Sequence, residues 1–194
     1  MFRNFKYFLR SAATVFLILS AGVHRIFADS TAVVKAKSPE VQTMIPGQPA
    51  PDFKLPNQDG NVVSLADFKG KWIVLYFYPK DFTKGCSVEA HNFQVDLPKY
   101  DKANAVILGV SVDPVSSHKS FCAKEGLNFK LLADTDAVVS TLYGSVREVL
   151  GYKMAKRNTF VINPDRIVVR AFIGVKPLDH SREILAALAD LQKG

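Results

Sequence analysis

Cysteine is scarce in this chain: there are two among 194 residues, Cys86 and Cys122. Two thiols cannot staple a disulfide-dense miniprotein, nor can they supply an all-cysteine metal site. Long apolar runs are also missing. The uncharged stretch from Ser11 to Val23 is thirteen residues, whereas a membrane-spanning helix takes about twenty. A polytopic membrane protein is therefore excluded. Eleven glycines and ten prolines are too few for collagen or a low-complexity chain. Hydrophobic residues are 48% and charged residues 22%, which excludes intrinsic disorder and fits one globular domain. Acids are in the minority, 18 against 25 basic residues, for a net charge of +7.

Much of the basic excess is local. Residues 1–28 contain Arg3, Lys6, Arg10 and Arg25 and no acid. Without them 21 basic residues face 18 acidic ones, a net +3. No Lys/Arg cluster remains of the kind that marks a nucleic-acid surface. A basic start, a short uncharged stretch and small residues around Ala28, just before Asp29, form the pattern of a secretory signal peptide. The expectation is a cleaved segment 1–28 and an exported protein, periplasmic or otherwise extracytoplasmic, with no stable membrane insertion after cleavage. Ile26 and Phe27 are bulkier than an ideal cleavage site, and an uncleaved anchor is the alternative. Export would place both cysteines where a disulfide persists. Residues 29–49 hold Pro39, Pro46 and Pro49 in a weakly patterned context and read as an extended linker or lead-in. The domain runs over 50–194.

Within that domain Asn57-Gln58-Asp59-Gly60 is a turn between Phe53–Leu55 and Val62–Leu65, a small hairpin. Trp72–Tyr78 and Ala105–Val112 are continuous apolar runs, the mark of strands buried on both faces. Ala90, Phe93, Leu97 and Tyr100 recur at helical spacing between them. A second helix spans Val115–Glu125 and stops at Gly126. Phe129–Leu132 is a short strand and Ala137–Tyr143 a short helix. Asn163-Pro164-Asp165-Arg166 turns Thr159–Ile162 back onto Ile167–Ile173. Ile184, Leu185, Leu188 and Leu191 stripe a final helix. This order predicts an α/β, thioredoxin-like fold: a central mixed β-sheet with helices on both faces.

Chemistry concentrates after the first buried strand, at Tyr78-Pro79-Lys80-Asp81-Phe82-Thr83-Lys84-Gly85-Cys86. Such a segment leaves the C-terminal end of a central strand, where open α/β sheets place their sites. It also enters a helix, so Cys86 falls in the first turn, where the dipole and free N–H groups favour a thiolate. Gly85 permits close approach to a ligand, and Thr83 offers a hydroxyl. Cys86 as a small buried residue is the equally open alternative.

Pro79-x-x-x-Thr83-x-x-Cys86 resembles the active-site signature of the peroxiredoxins. The longer string Phe77 to Thr83, Gly85-Cys86, Glu89-Ala90 and Phe93 is similar to the peroxiredoxin Q / bacterioferritin comigratory protein group. Arg157 before Asn158–Ile162, Pro49–Phe53 and Leu132-Ala133-Asp134 also match, from about Ile45 onward. The resemblance implies a thioredoxin-dependent peroxidase without cofactor or metal, acting on hydrogen peroxide and organic hydroperoxides. Cys86 would attack the peroxide and become a sulfenic acid. Arg157 would hold thiolate and peroxide, Thr83 would orient the attack, and Pro79 would shield the thiolate. The group leans towards monomers, and its members use a thioredoxin-type reductant.

The chain departs from the group at Lys84, Ser87 and His91, which stand for the usual Pro, Thr and, in many members, a second Cys. That excludes a resolving thiol five residues after Cys86. Cys122, 36 residues downstream, occupies a helix from which some members resolve, and the resemblance implies that role; a buried bystander is the alternative. Glu89 would support the arginine. His91 and His118 read as surface residues, and Tyr76, Phe77, Tyr78 and Phe82 as mostly core. Three other readings compete. A thioredoxin-like oxidoreductase needs C-x-x-C, and the third residue after Cys86 is Glu89. A zinc module would use Cys86, His91, His118 and Cys122. A non-enzymatic exported binding module would keep Cys86–Cys122 as a structural disulfide.

Overall fold

The computed structural model describes residues 43–193; the expected signal segment and most of the lead-in lie outside them. In chain order the elements are β1 (Lys54–Pro56), β2 (Val62–Ser64), β3 (Trp72–Phe77), α1 (Lys84–Lys102), β4 (Ala105–Ser111), α2 (Val115–Glu125), β5 (Lys130–Ala133), α3 (Val138–Leu142), β6 (Val146–Val149), β7 (Tyr152–Ala155), β8 (Asn158–Ile162), β9 (Val168–Ile173) and α4 (His180–Leu191). A 3-10 turn at Leu65–Phe68 follows β2. Among the described residues no helix is long and apolar enough to cross a membrane.

The main sheet has the order β5-β4-β3-β8-β9. β3, β4 and β5 are parallel; β8 runs antiparallel to β3, and β9 antiparallel to β8. The sheet is therefore mixed, with β3 at its centre. Side chains alternate across a strand, so β3 feeds two cores. Ile73, Leu75 and Phe77 pack with Leu108, Val110, Val139, Tyr143 and Phe160. Val74, Tyr76 and Tyr78 pack with Phe93 and Tyr100 of α1, Phe121 and Cys122 of α2, and Ile184 and Leu188 of α4. Helices α1, α2 and α4 thus cover one face, and α3 with the β1–β2 hairpin covers the other. This is the thioredoxin-like arrangement expected from the element order.

Each large apolar side chain buried this way contributes about 1.5–3 kcal/mol. One position shows how tightly the sheet is filled. The Tyr76 ring lies over Gly109 of β4, and a Cβ there would come within 2.7 Å of Tyr76 Cζ and 2.6 Å of Leu131 Cδ2. Only glycine leaves room for that ring.

The structure differs from the sequence reading in three places. An additional hairpin, β6–β7, follows α3. Its turn places Leu150 at φ 52° and Gly151 at φ 80°; a leucine is rarely found in that left-handed region, so Gly151 is the turn's only sequence signal. His118 is not on the surface: it is fully buried, because α2 turns it inward against Asp81. Phe82 is not core but 45% exposed, at φ 61°, since the loop must bend sharply to start α1. Nearer the N-terminus, Gly47 and Ala50 donate to the Val168 and Arg166 carbonyls at 2.8 Å each, tying this part of the chain to the start of β9.

Gly109→Ala is expected to lower stability by about 1–3 kcal/mol, the usual cost of overpacking a core. Thermal unfolding of the variant beside the wild type measures it, and an unchanged melting temperature would contradict the packing described.

Candidate active site

The site forms where α1 begins. Thr83 is its N-cap and Cys86 its third residue, inside the turn whose N–H groups have no helical acceptor. Helix N-termini favour negative charge, so this is a position for a thiolate. Cys86 is 2% exposed, which keeps bulk water off the sulfur.

Arg157 precedes β8. The antiparallel register pairs Phe77 with Asn158, so Arg157 lies beside the end of β3, where the loop to Cys86 starts. Its Nη2 donates to Cys86 Sγ at 3.2 Å. Its Nη1 donates to Glu89 Oε2 one turn along α1. Burial works against the guanidinium's charge, but the Glu89 carboxylate and Cys86 more than offset it and raise its pKa. Gly85 contributes by what it lacks: a Cβ there would sit 3.4 Å from Arg157 Nη2, the nitrogen that reaches the sulfur.

Pro79 is half-buried and shares with Arg157 a recess of about 450 Å³, walled by Asn158, Ile173 and Val175, with Arg147 and Lys156 also lining it. A larger recess of about 770 Å³, between the β1 segment and α3, includes neither Cys86 nor Arg157. The Thr83 hydroxyl does not cap α1; it donates to the Lys80 carbonyl at 3.1 Å. Lys84 is exposed.

Cys122 lies on α2, in the same buried cluster as Cys86, and both thiols are free. Burial pushes the Cys122 thiol up to about 12, and the Asp81 and Asp59 charges add to that. Two contacts fasten the helices that carry the thiols: Ser87 Oγ donates to Glu125 Oε1 at 2.8 Å, and Phe82 packs edge-on against Phe121 at 5.2 Å. The four residues weighed for zinc do not assemble. His91 is exposed, His118 faces Asp81, and the described residues hold no group of three or more candidate ligands.

Sequence reasoning missed two buried clusters around the site. In the first, Asp81 accepts from Tyr78 Oη at 2.7 Å and Ser117 Oγ at 2.7 Å, and lies 2.9 Å from His118 Nδ1. Its backbone N–H donates to Asp113 Oδ2 at 2.9 Å. These bonds attach the loop before Cys86 to the helix of Cys122. Burial pushes the Asp81 carboxyl up, but His118, Ser117 and Tyr78 together outweigh it and hold the group below its ordinary value. In the second, His180 Nδ1 lies 2.8 Å from Glu89 Oε1. Neither histidine belongs to a periodic pattern, and their partners are 37 and 91 residues away.

A single cysteine at a helix N-terminus, shielded from water and bonded to an arginine on a thioredoxin-like sheet, is suited to thiolate chemistry. Comparison with known proteins agrees. Residues 46–171 match the AhpC/TSA family. Peroxiredoxin Bcp of Xanthomonas campestris is 42% identical over 149 residues, covering 72% of this chain and 91% of the relative. Peroxiredoxin Bcp of Bacillus subtilis is 38% identical over 151 residues, covering 76% and 96%. Among solved structures, a mutant of Xylella fastidiosa PrxQ superposes with a TM-score of 0.74 at 36% identity, over 78% of this chain and 99% of that one. The X. campestris bacterioferritin comigratory protein, solved in a study of its alkyl peroxide reduction, superposes at 0.67 with 39% identity, over 71% and 90%. The chain belongs to the AhpC/TSA family, in its peroxiredoxin Q / bacterioferritin comigratory protein group, and is a peroxide-reducing oxidoreductase.

Asp81 supplies a test of how the loop is held. A carboxyl lowered on folding stabilises the protein fully above its ordinary value of 3.8 and loses that stabilisation as pH falls through the native value. Asp81→Asn is expected to destabilise the protein at neutral pH by about 1–3 kcal/mol, with the gap to wild type closing in acid. Chemical denaturation at several pH values measures it; a gap independent of pH would contradict the ionised assignment.

Proposed function

We propose that Cys86 is the peroxidatic thiol of this enzyme, that Arg157 activates it, and that Cys122 resolves it. The observation that carries the reading is the 3.2 Å contact from Arg157 Nη2 to the Cys86 sulfur. A guanidinium is permanently charged, so it favours the thiolate, the nucleophilic form. In the first step the Cys86 thiolate attacks one oxygen of the O–O bond. An S–O bond forms, the O–O bond breaks, sulfur is oxidised to sulfenic acid, and the leaving alkoxide or hydroxide takes a proton to become alcohol or water. Arg157 sits where the negative charge starts and where it moves, so it stabilises the transition state. Thr83 spends its hydrogen on the Lys80 carbonyl, which leaves its oxygen to accept from the peroxide O–H. Pro79 offers no N–H to compete and closes one side of the recess.

In the second step Cys122 attacks the sulfenic sulfur; a disulfide forms and water leaves. Cys86 and Cys122 are both buried, and burial pushes the Cys122 thiol up to about 12; movement of α2 or of the first turn of α1 would free it for this step. A thioredoxin-type dithiol then restores both thiols by exchange. The recess beside Pro79 and Arg157 is lined by Ile173 and Val175 together with Arg147 and Lys156 and does not include Cys86; organic hydroperoxides as well as hydrogen peroxide are taken as substrates from the likeness to the X. campestris protein studied for alkyl peroxide reduction. The basic, then apolar, then small pattern of segment 1–28 supports export and work outside the cytoplasm, and the group resemblance supports a monomer.

Three variants test the reading. Cys86→Ser should abolish peroxide consumption. Arg157→Ala should slow the first oxidation by about 10²–10³, as for loss of one transition-state donor, with the circular dichroism spectrum unchanged. Cys122→Ser should reduce one equivalent of peroxide at the wild-type rate, then lose turnover with a thioredoxin-type donor and accumulate sulfinic acid under excess peroxide. A Cys122→Ser enzyme that turns over as fast as wild type would show that an external thiol resolves Cys86. N-terminal sequencing of exported protein should begin at or near Asp29; intact Met1 on cytoplasmic protein would overturn the export proposal.

A further inference from the structure

His180 has no part in the steps above, yet it is wholly buried and reaches the site at one remove. Glu89 Oε1, which faces its Nδ1 at 2.8 Å, can only accept while ionised, so Nδ1 carries the hydrogen and donates. The other Glu89 oxygen, Oε2, accepts from Arg157 Nη1, and Arg157 Nη2 goes to Cys86. This arrangement is not the one a carboxylate and a guanidinium adopt if left alone. They pair through two parallel bonds, and here the second bond would join Glu89 Oε1 to Arg157 Nη2. Nη2 has two hydrogens, so its donor would not be used up, but the guanidinium would turn to face the carboxylate squarely and Nη2 would swing off the Cys86 sulfur.

We propose that His180 is a positioning residue for Arg157: its bond to Glu89 Oε1 fixes the plane of the carboxylate so that Oε2 alone faces the guanidinium, and Arg157 Nη2 stays on the Cys86 sulfur. The inference rests on the reading of Cys86 as the peroxidatic thiol.

Two further observations support it. His180 Nε2 is buried without a partner, with Phe93 at 5.4 Å and Phe172 at 6.2 Å between ring centres. An unpartnered buried nitrogen costs free energy, so packing alone would favour an apolar residue here. What the imidazole gains is its bond to Glu89. The connection between β9 and α4, which leads into His180 at the start of α4, also holds the arginine's main chain. Val175 N–H donates to the Arg157 carbonyl at 3.1 Å, and Asn92 Nδ2 on α1 fastens the loop through the Leu178 carbonyl at 2.9 Å. One segment therefore fixes Arg157 at both ends.

The test compares His180→Leu, His180→Asn and His180→Gln in the full-length protein. An asparagine amide can stand where Nδ1–H stands, whereas a glutamine amide stands nearer Nε2. The readouts are Cys86 alkylation across pH, located by peptide mass, and the single-turnover rate with hydrogen peroxide. His180→Leu and His180→Gln should slow both at neutral pH by about tenfold, less than the loss of a direct donor. At high pH, where the thiolate forms without help, alkylation should converge on wild type. His180→Asn should stay near wild type throughout. If His180→Leu does not fold, the Asn/Gln contrast decides alone. Equal slowing in Asn and Gln variants at every pH, or wild-type rates in both, would overturn the proposal. A wild-type Cys86 that peroxide leaves unoxidised would instead overturn the reading beneath it.

Discussion

The structure of this site turns on one guanidinium shared between a sulfur and a carboxylate. Arg157 gives one nitrogen to Cys86 and the other to Glu89. With the carboxylate alone it would be a structural ion pair; with the sulfur alone it would be a buried cation with a free arm. Sharing keeps the charge in place and aims it at the reacting atom. Everything nearby serves that arrangement: Gly85 leaves space beside Nη2, His180 meets the spare Glu89 oxygen, and Val175 holds the arginine's backbone.

The sheet makes the sharing possible. Cys86 and Arg157 are 71 residues apart, and they meet because β8 pairs antiparallel with β3 in a register that ends at Phe77 and Asn158. A slip of one residue would turn Arg157 away from the helix face. Both strands are buried on both faces, so hydrophobicity alone would tolerate the slip, and the fit of individual side chains, such as Phe77 edge-on to Phe160 at 5.9 Å, sets the register. The fold thus converts the fit of buried side chains into the placement of a charge.

The same logic explains how much could be read in advance. β3, β4, α1, α2 and α4 were legible because burial on one or both faces imposes a period on their sequences. Cys86 was legible because its loop sits between a strand end and a helix start, and the family motif added Arg157, which no local pattern marks. The β6–β7 hairpin was not legible, since Leu150 adopts a positive φ that its residue type does not announce. His118 and His180 were not legible either. Each is a lone histidine in its helix, and its meaning comes from a carboxylate that only the tertiary fold brings near. Thr83 shows the intermediate case: the motif marks its position, but the bond from its hydroxyl to the Lys80 carbonyl is visible only in the structure.

The most direct test of the account is peptide mass mapping of the wild type quenched early after one equivalent of hydrogen peroxide. Oxygen should appear first on Cys86 as a sulfenate, while Cys122 is still a thiol. A Cys86–Cys122 disulfide, lighter than the reduced protein by two hydrogens, should follow. Oxidation that begins at Cys122, or that leaves Cys86 untouched while peroxide disappears, would contradict the account at its centre.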